Sequence, residues 1–310
     1  MPCDRALREK LGRLLAPAAA AMTGILVGAA VVATRAISDE AGPAAIALLR
    51  YLVGGAILLP IALATRRMKI ARRDAFPIVL LGIGQFGVLV VLLNISVQHI
   101  PAARAALLFA TMPLITMVFG RLTGREGLAA WQAIGVLLTV VGVAAVIAAE
   151  PPMLTAGSTS WLGDLAALGS AATGATCSLL YRPYLERNSA LGVGALAMVA
   201  SVPPLALLAW TEGFFGASLS FSTTGWLAVT FIGVSSAIGY ALWLGALAAA
   251  SATNVTAFLA LGPLTAAALG AVLLAEPITP GFAAGAVLVA VGLALAHRAG
   301  IRQRALIGAP

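Results

Sequence analysis

Two stretches decide how this chain is read: 102–126, AARAALLFATMPLITMVFGRLTGRE, and 252–276, ATNVTAFLALGPLTAAALGAVLLAE. They align without a gap at an offset of 150 residues. Pro113-Leu114 matches Pro263-Leu264, Gly120 matches Gly270, and Glu126 matches Glu276. The register continues into the following apolar run, where Gly135 matches Gly285 and Gly142 matches Gly292. A proline inside an apolar run, a carboxylate at its end and glycines in the next run therefore occur twice.

Composition says what is duplicated. The 310 residues are 61% hydrophobic and only 10% charged, with mean hydropathy +1.03, against about 25% charged in a soluble domain. Ten apolar runs occur, at 18–37, 44–65, 76–97, 102–122, 128–149, 161–181, 191–210, 226–247, 252–275 and 282–296. About 20 helical residues cross a hydrocarbon core, so most of these runs have the length of a membrane span. Connections are short and carry turn signals such as Gly42-Pro43, Pro151-Pro152 and Pro277. The expected fold is all-α and integral to the membrane, with ten transmembrane helices. Its parts are an N-terminal segment 1–17, a first five-span repeat 18–149, a linker 150–160, a second repeat 161–297 and a tail 298–310. Leu7, Leu11, Leu14 and Leu15 form a stripe that fits a short interfacial helix, although a frayed tail fits as well.

The basic residues orient the chain. With a cytoplasmic N-terminus, 16 of the 19 Lys and Arg residues fall inside. They cluster at Arg5–Arg13, Arg66–Arg73, Arg121 and Arg125, Arg182 and Arg187, and Arg298–Arg304. The positive-inside rule thus places both termini in the cytoplasm. The acids Asp39, Glu40, Glu150, Asp164, Glu212 and Glu276 fall at or near the outer side. Five spans per repeat would invert the second repeat relative to the first. Inverted repeats about a pseudo-two-fold axis in the membrane plane are the geometric basis of alternating access in many transporters.

Several chemistries are disfavoured. Cys3 and Cys177 make no disulfide framework, and no metal-ligand spacing occurs, so neither a metal nor another cofactor is expected. His99 and His297 are predicted on opposite faces of the membrane. Gly82, Gly84 and Gly87 spell G-x-G-x-x-G, but inside an apolar run, without a preceding strand or an acid about 20 residues on. These glycines, like Gly24 with Gly28 and Gly281 with Gly285, are read as close helix packing. The net charge of +8 is accounted for by loops facing anionic lipid, so the bilayer is the expected partner and nucleic acid is not.

With these residues in hand, the chain resembles the drug/metabolite transporter superfamily, in the branch with two EamA repeats. The resemblance rests on the ten-run layout, on 102–126 and 251–277, and on Arg50 after Leu48-Leu49. It covers nearly everything beyond residue 18. It implies a basket of ten helices around a central cavity lined mainly by spans 1, 3, 4, 6, 8 and 9, and export of amino acids, other small metabolites or drugs.

Mid-span polar residues usually face protein interior or a wet cavity. On that layout the expected substrate pathway comprises Gln85, Arg104, Thr111, Thr173, Ser236, Tyr240, Trp243, Asn254 and Phe258. Arg104 would capture a substrate carboxylate or snorkel to the outer surface. Arg50 is read as one side of an ion pair with Asp39 or Glu40. Pro113 and Pro263 each remove a helix hydrogen bond and should kink their spans, as hinges or as static curvature. Glu126 and Glu276 are expected to bond locally at the membrane boundary. Glycine-rich faces on spans 5 and 10 would serve a homodimer or intramolecular packing. No Asp or Glu lies at mid-membrane depth, which favours facilitated transport over proton coupling. The leading expectation is alternating-access export of amino acids or similar small metabolites across a bacterial inner membrane. Efflux of amphipathic drugs is the alternative, and a non-transporting scaffold subunit is the reading from another class. No enzyme is expected.

Overall fold

In the computed structural model, residues 2–122, 130–149, 159–216, 221–249, 255 and 258–307 are described, and all their regular structure is helical. The elements are α1 (Pro2–Ala36), α2 (Pro43–Ala64), α3 (Arg72–Gly82), a π-helical turn (Ile83–Val88) and α4 (Leu89–His99). They continue as α5 (Ala102–Phe109), α6 (Met112–Leu122), α7 (Ala130–Ala149), α8 (Ser160–Arg187), α9 (Ala190–Thr211) and α10 (Thr223–Ala249). A 3₁₀ turn (Phe258–Ala260) leads into α11 (Leu261–Leu273), and α12 (Pro280–Ile307) follows.

Six stretches among the described residues are long and apolar enough to cross a membrane: Leu15–Ala36, Pro43–Ala64, Arg72–His99, Ala102–Leu122, Ala190–Thr211 and Thr223–Ala249. Leu137–Val146, Leu261–Leu273 and Pro280–Gly292 are shorter apolar helices. The 28-residue α8 has the length but is more polar, carrying Asp164 and several Ser and Thr residues. The N-terminal segment is not a separate interfacial helix. It continues into the first apolar run as one 35-residue helix, about 50 Å long at 1.5 Å per residue, so one end extends well past a hydrocarbon core of about 30 Å.

The kink expected at Pro113 is a complete break. Ala110 and Thr111 separate α5 from α6, with Thr111 N–H bonded to Leu108 O rather than continuing the α ladder. Pro113 then sits in the first turn of α6, where its missing N–H costs least. Pro263 has the matching place, in the first turn of α11 behind the 3₁₀ turn.

Helix ends are closed across the fold. Glu212, at the end of α9, accepts from the N–H groups of Ala44 and Ala45 at 2.8 and 2.9 Å, at the start of α2. Glu40 accepts from the Ser222 N–H at 2.9 Å and its hydroxyl at 2.7 Å, just before α10. Glu276 accepts from the Ala102 N–H at 3.1 and 3.2 Å, at the start of α5, and lies 3.7 Å from Arg35. Each carboxylate meets the positive end of a helix dipole and satisfies N–H groups with no partner in their own helix. Ala275 has φ 53°, a left-handed conformation that ends α11 and turns Glu276 towards α5. At the opposite helix ends, Asp74 accepts from Arg187 at 2.9 and 3.1 Å and from the Asn188 amide at 2.8 Å.

Helices of the first half pack chiefly on helices of the second: α1 on α10, α2 on α9, α4 on α8, α5 on α11 and α7 on α12. The glycine faces of α7 and α12 meet each other. A Cβ on Gly285 would strike Val146 and the Gly142 carbonyl, and one on Gly292 would strike Thr139 and the Gly135 carbonyl. Gly24 and Gly28 of α1 similarly lie against the carbonyls of Phe258 and Gly262. Gly82 of the G-x-G-x-x-G string abuts Ala197 of α9, the close packing expected of it. In this seam Gly285→Ala should lower the thermal unfolding midpoint in detergent by at least about 3 °C, from an overpacking cost of about 1–3 kcal/mol. Gly245→Ala, where an added Cβ meets nothing within 4 Å, should hold or raise it; equal midpoints would show that the α7–α12 seam yields freely.

Candidate functional site: a central cavity

Among the described residues, three departures from α-helical geometry within apolar stretches border one cavity. The π-helical turn contributes Gln85, the α5–α6 break contributes Phe109 and Met112, and the 3₁₀ turn contributes Leu259. Thr23, Leu26 and Val27 of α1, Arg50 of α2, and Ser235, Ser236, Gly239, Tyr240 and Trp243 of α10 complete the wall. Non-helical backbone at membrane depth is tolerated where it is buried in protein or lines a cavity. The free volume is about 50 Å³, enough for a few water molecules and well below the several hundred Å³ of a pocket holding a small organic ligand.

Arg50 is the dominant charge. It is 8% exposed and its Nε donates to the Ser236 hydroxyl, which in turn donates to Ile232 O at 2.6 Å. Among the described residues no carboxylate forms an ion pair with it. This corrects the expected pairing with Asp39 or Glu40: Asp39 is exposed and Glu40 is engaged at Ser222. The Arg50 guanidinium also lies 5.8 Å from the Tyr51 ring centroid. An arginine kept charged away from bulk water with a neutral partner leaves donors for an anion that arrives from outside.

Gln85 is 5% exposed, and its Oε1 is buried without a hydrogen-bond partner. Tyr240 packs edge-on to Phe86 at 4.3 Å between centroids, and Phe86 packs edge-on to Tyr51 at 5.1 Å. That row fixes the Tyr240 ring in the wall. Thr23 and Ser235 satisfy their hydroxyls on backbone carbonyls.

Of the residues expected on the pathway, Gln85, Ser236, Tyr240 and Trp243 come together here. Thr111 is buried at the α5–α6 break with its hydroxyl on Leu108 O at 2.7 Å. Thr173 bonds Gly169 O at 2.8 Å within its own helix. Phe258 is half-buried in the 3₁₀ turn, against α1 at Gly24. Arg104 is held elsewhere, in a bidentate pair with Asp164 at 2.9 and 2.7 Å. It borders a second small cavity with Glu276, Pro277 and Phe282. The polar face of α8 is used in packing, with the Ser170 hydroxyl on Leu89 O at 2.9 Å. Asn254 and Glu126 lie outside the described residues. Sequence reasoning missed Arg50 as a wall residue, although a charge within an apolar run is itself the signal for a functional position.

The model of the EamA-like transporter family matches residues 14–148 and again 161–298. The chain belongs to this family. It is a multi-pass membrane transporter and not an enzyme. An uncharacterized transporter of Bacillus subtilis, YvbV, is 28% identical over 85% of each chain. A protein of Streptantibioticus cattleyicolor described as a probable terminal-alkyne amino-acid exporter is 30% identical over 91% of this chain and 93% of its own. A solved crystal structure superposes with TM-score 0.70 at 20% identity, over 92% of this chain and 97% of that one, which shows a shared fold.

The two buried arginines predict different mutant behaviour. Arg104→Gln leaves the Asp164 carboxylate buried and unpaired and should cost about 3–5 kcal/mol. The double variant Arg104→Gln/Asp164→Asn should recover most of that loss in a detergent melting series. No recovery would assign Arg104 a role beyond holding Asp164.

Proposed function

We propose that this transporter exports amino acids or similarly small carboxylate-bearing metabolites across a bacterial inner membrane. The observation that carries the reading is the Arg50 guanidinium, placed in the cavity wall on a neutral serine. A substrate carboxylate supplies the missing counter-charge, while the Tyr240 and Trp243 rings suit a varied apolar side chain. The relative described as an amino-acid exporter supports this substrate class.

The mechanism is alternating access between two inverted five-span repeats, with both termini cytoplasmic. The duplication at 102–126 and 252–276 supports it. So does the pairing of helices, since exchanging the halves turns the α1–α10 contact into the α4–α8 contact and returns α2–α9 and α7–α12 to themselves. Pro113 and Pro263 sit at matching breaks and serve as the paired hinges. The narrow cavity fits a conformation that must widen to take substrate. Among the described residues no carboxylate lines it, which supports facilitated export down a cytoplasmic excess.

The test is efflux of labelled amino acids from liposomes bearing purified protein, with and without a pH gradient. Selective loss without a gradient supports facilitated export, and loss only with one overturns the facilitative part. No loss of any amino acid overturns the substrate class and moves the search to amphipathic drugs. Arg50→Gln should reduce efflux at least about 100-fold, as expected for removing a buried charge-assisted contact of about 3 kcal/mol. Arg50→Lys should retain part of it, because the charge stays while the planar fork is lost. Full activity in Arg50→Gln would refute carboxylate binding there.

A further inference from the structure

A carboxylate contact does not distinguish an α-amino acid from the carboxylic acid of the same skeleton. The cavity holds a second polar group suited to that distinction. Gln85 lies near the middle of the stretch Arg72–His99, on the one segment of that stretch with π-helical geometry. Single π turns inside α-helices are frequent at functional sites, since they redirect a side chain that regular spacing would aim elsewhere. The amide borders the cavity, yet makes no hydrogen bond among the described residues, and its Oε1 is buried without a partner. An amide oxygen left in this way has lost its solvation, which a donor arriving with the substrate restores.

We propose that Gln85 reads the α-ammonium of the substrate, so that the cavity takes α-amino acids in preference to their des-amino counterparts. The inference rests on the carboxylate site at Arg50 and extends it. A zwitterion whose carboxylate meets Arg50 carries its ammonium one carbon away, within the same small cavity. There the Gln85 carbonyl is the buried acceptor with no partner of its own among the described residues, beside the hydroxyls of Thr23, Ser235, Ser236 and Tyr240 and the faces of Tyr240 and Trp243. A primary amine without a carboxylate is excluded by like charge at Arg50. A dicarboxylate would leave its second charge unpaired, because Arg50 is the only cationic residue in the wall among the described residues. A monocarboxylate without the amine leaves Gln85 as orphaned as it is now. Sites built to bond a substrate N–H discriminate strongly against analogues lacking it.

The experiment is counterflow in liposomes containing the full chain, with paired external competitors: L-phenylalanine against 3-phenylpropionate, and L-leucine against 4-methylpentanoate. The wild type should favour each amino acid over its des-amino partner by at least about 10-fold. Gln85→Leu should narrow that gap to under about threefold by weakening the amino acids alone. The unchanged des-amino competitor then reports an intact site. A wild type that does not discriminate overturns the role of Gln85 and leaves the exporter reading standing. So does a Gln85→Leu variant that keeps the full gap, or one that weakens both competitors equally. Absence of counterflow with any amino acid removes the exporter reading and this inference together.

Discussion

A helix that ends near hydrocarbon leaves N–H groups that water reaches poorly, and these groups must find partners inside the protein. This constraint organises the whole chain. Glu212 closes the start of α2, Glu40 the approach to α10, and Glu276 the start of α5. In every case the carboxylate comes from the other half of the sequence. At these three ends neither half satisfies its own N–H groups, which ties the two halves of the chain into one body. The same contacts place three acids at the same set of helix ends without leaving them as free charges, since each is spent on a helix dipole. The left-handed Ala275 belongs to this economy: a strained residue of about 1 kcal/mol is kept because it aims Glu276.

Irregular backbone follows the same rule. The π turn at Ile83–Val88, the break at Ala110–Thr111 and the 3₁₀ turn at Phe258–Ala260 lie on three different stretches, yet all contribute to one cavity. Elsewhere the helices approach closely enough that glycine carbonyls touch neighbouring glycines, as between Gly142 and Gly285. Tight seams between the halves and irregular backbone at the centre place the deformable part of the fold at the cavity.

How much of this is legible in the sequence depends on the reach of each interaction. Pro113 and Pro263 are legible because a missing N–H acts within one turn, although a full break reads the same as a kink. Gln85 and Trp243 are legible because a mid-span amide or a deep indole has few places to go except inward. Thr173 is not, because a hydroxyl can satisfy itself on the carbonyl four residues back and then needs no cavity. The arginines are the least legible. Arg104 finds Asp164 60 residues away and Arg50 finds Ser236 186 residues away, and apolar periodicity carries no record of either choice. Sequence reasoning assigned the open role to Arg104 and the paired role to Arg50; the packing of α5 on α8 and of α2 on α10 exchanges them.

The contrast between those two arginines is the strongest functional argument the fold offers. Both are almost wholly buried, at 4% and 8% exposure, and burying a guanidinium is costly wherever it is done. At Arg104 the cost is offset by a bidentate carboxylate supplied by the chain itself. At Arg50 the chain supplies a hydroxyl, although Glu40 and Asp39 lie only about ten residues away in sequence and Glu40 is committed to an N–H that a neutral side chain could also have capped. A charge that no carboxylate among the described residues pairs, held in a cavity wall, favours an arriving anion more strongly than the same charge would on the surface.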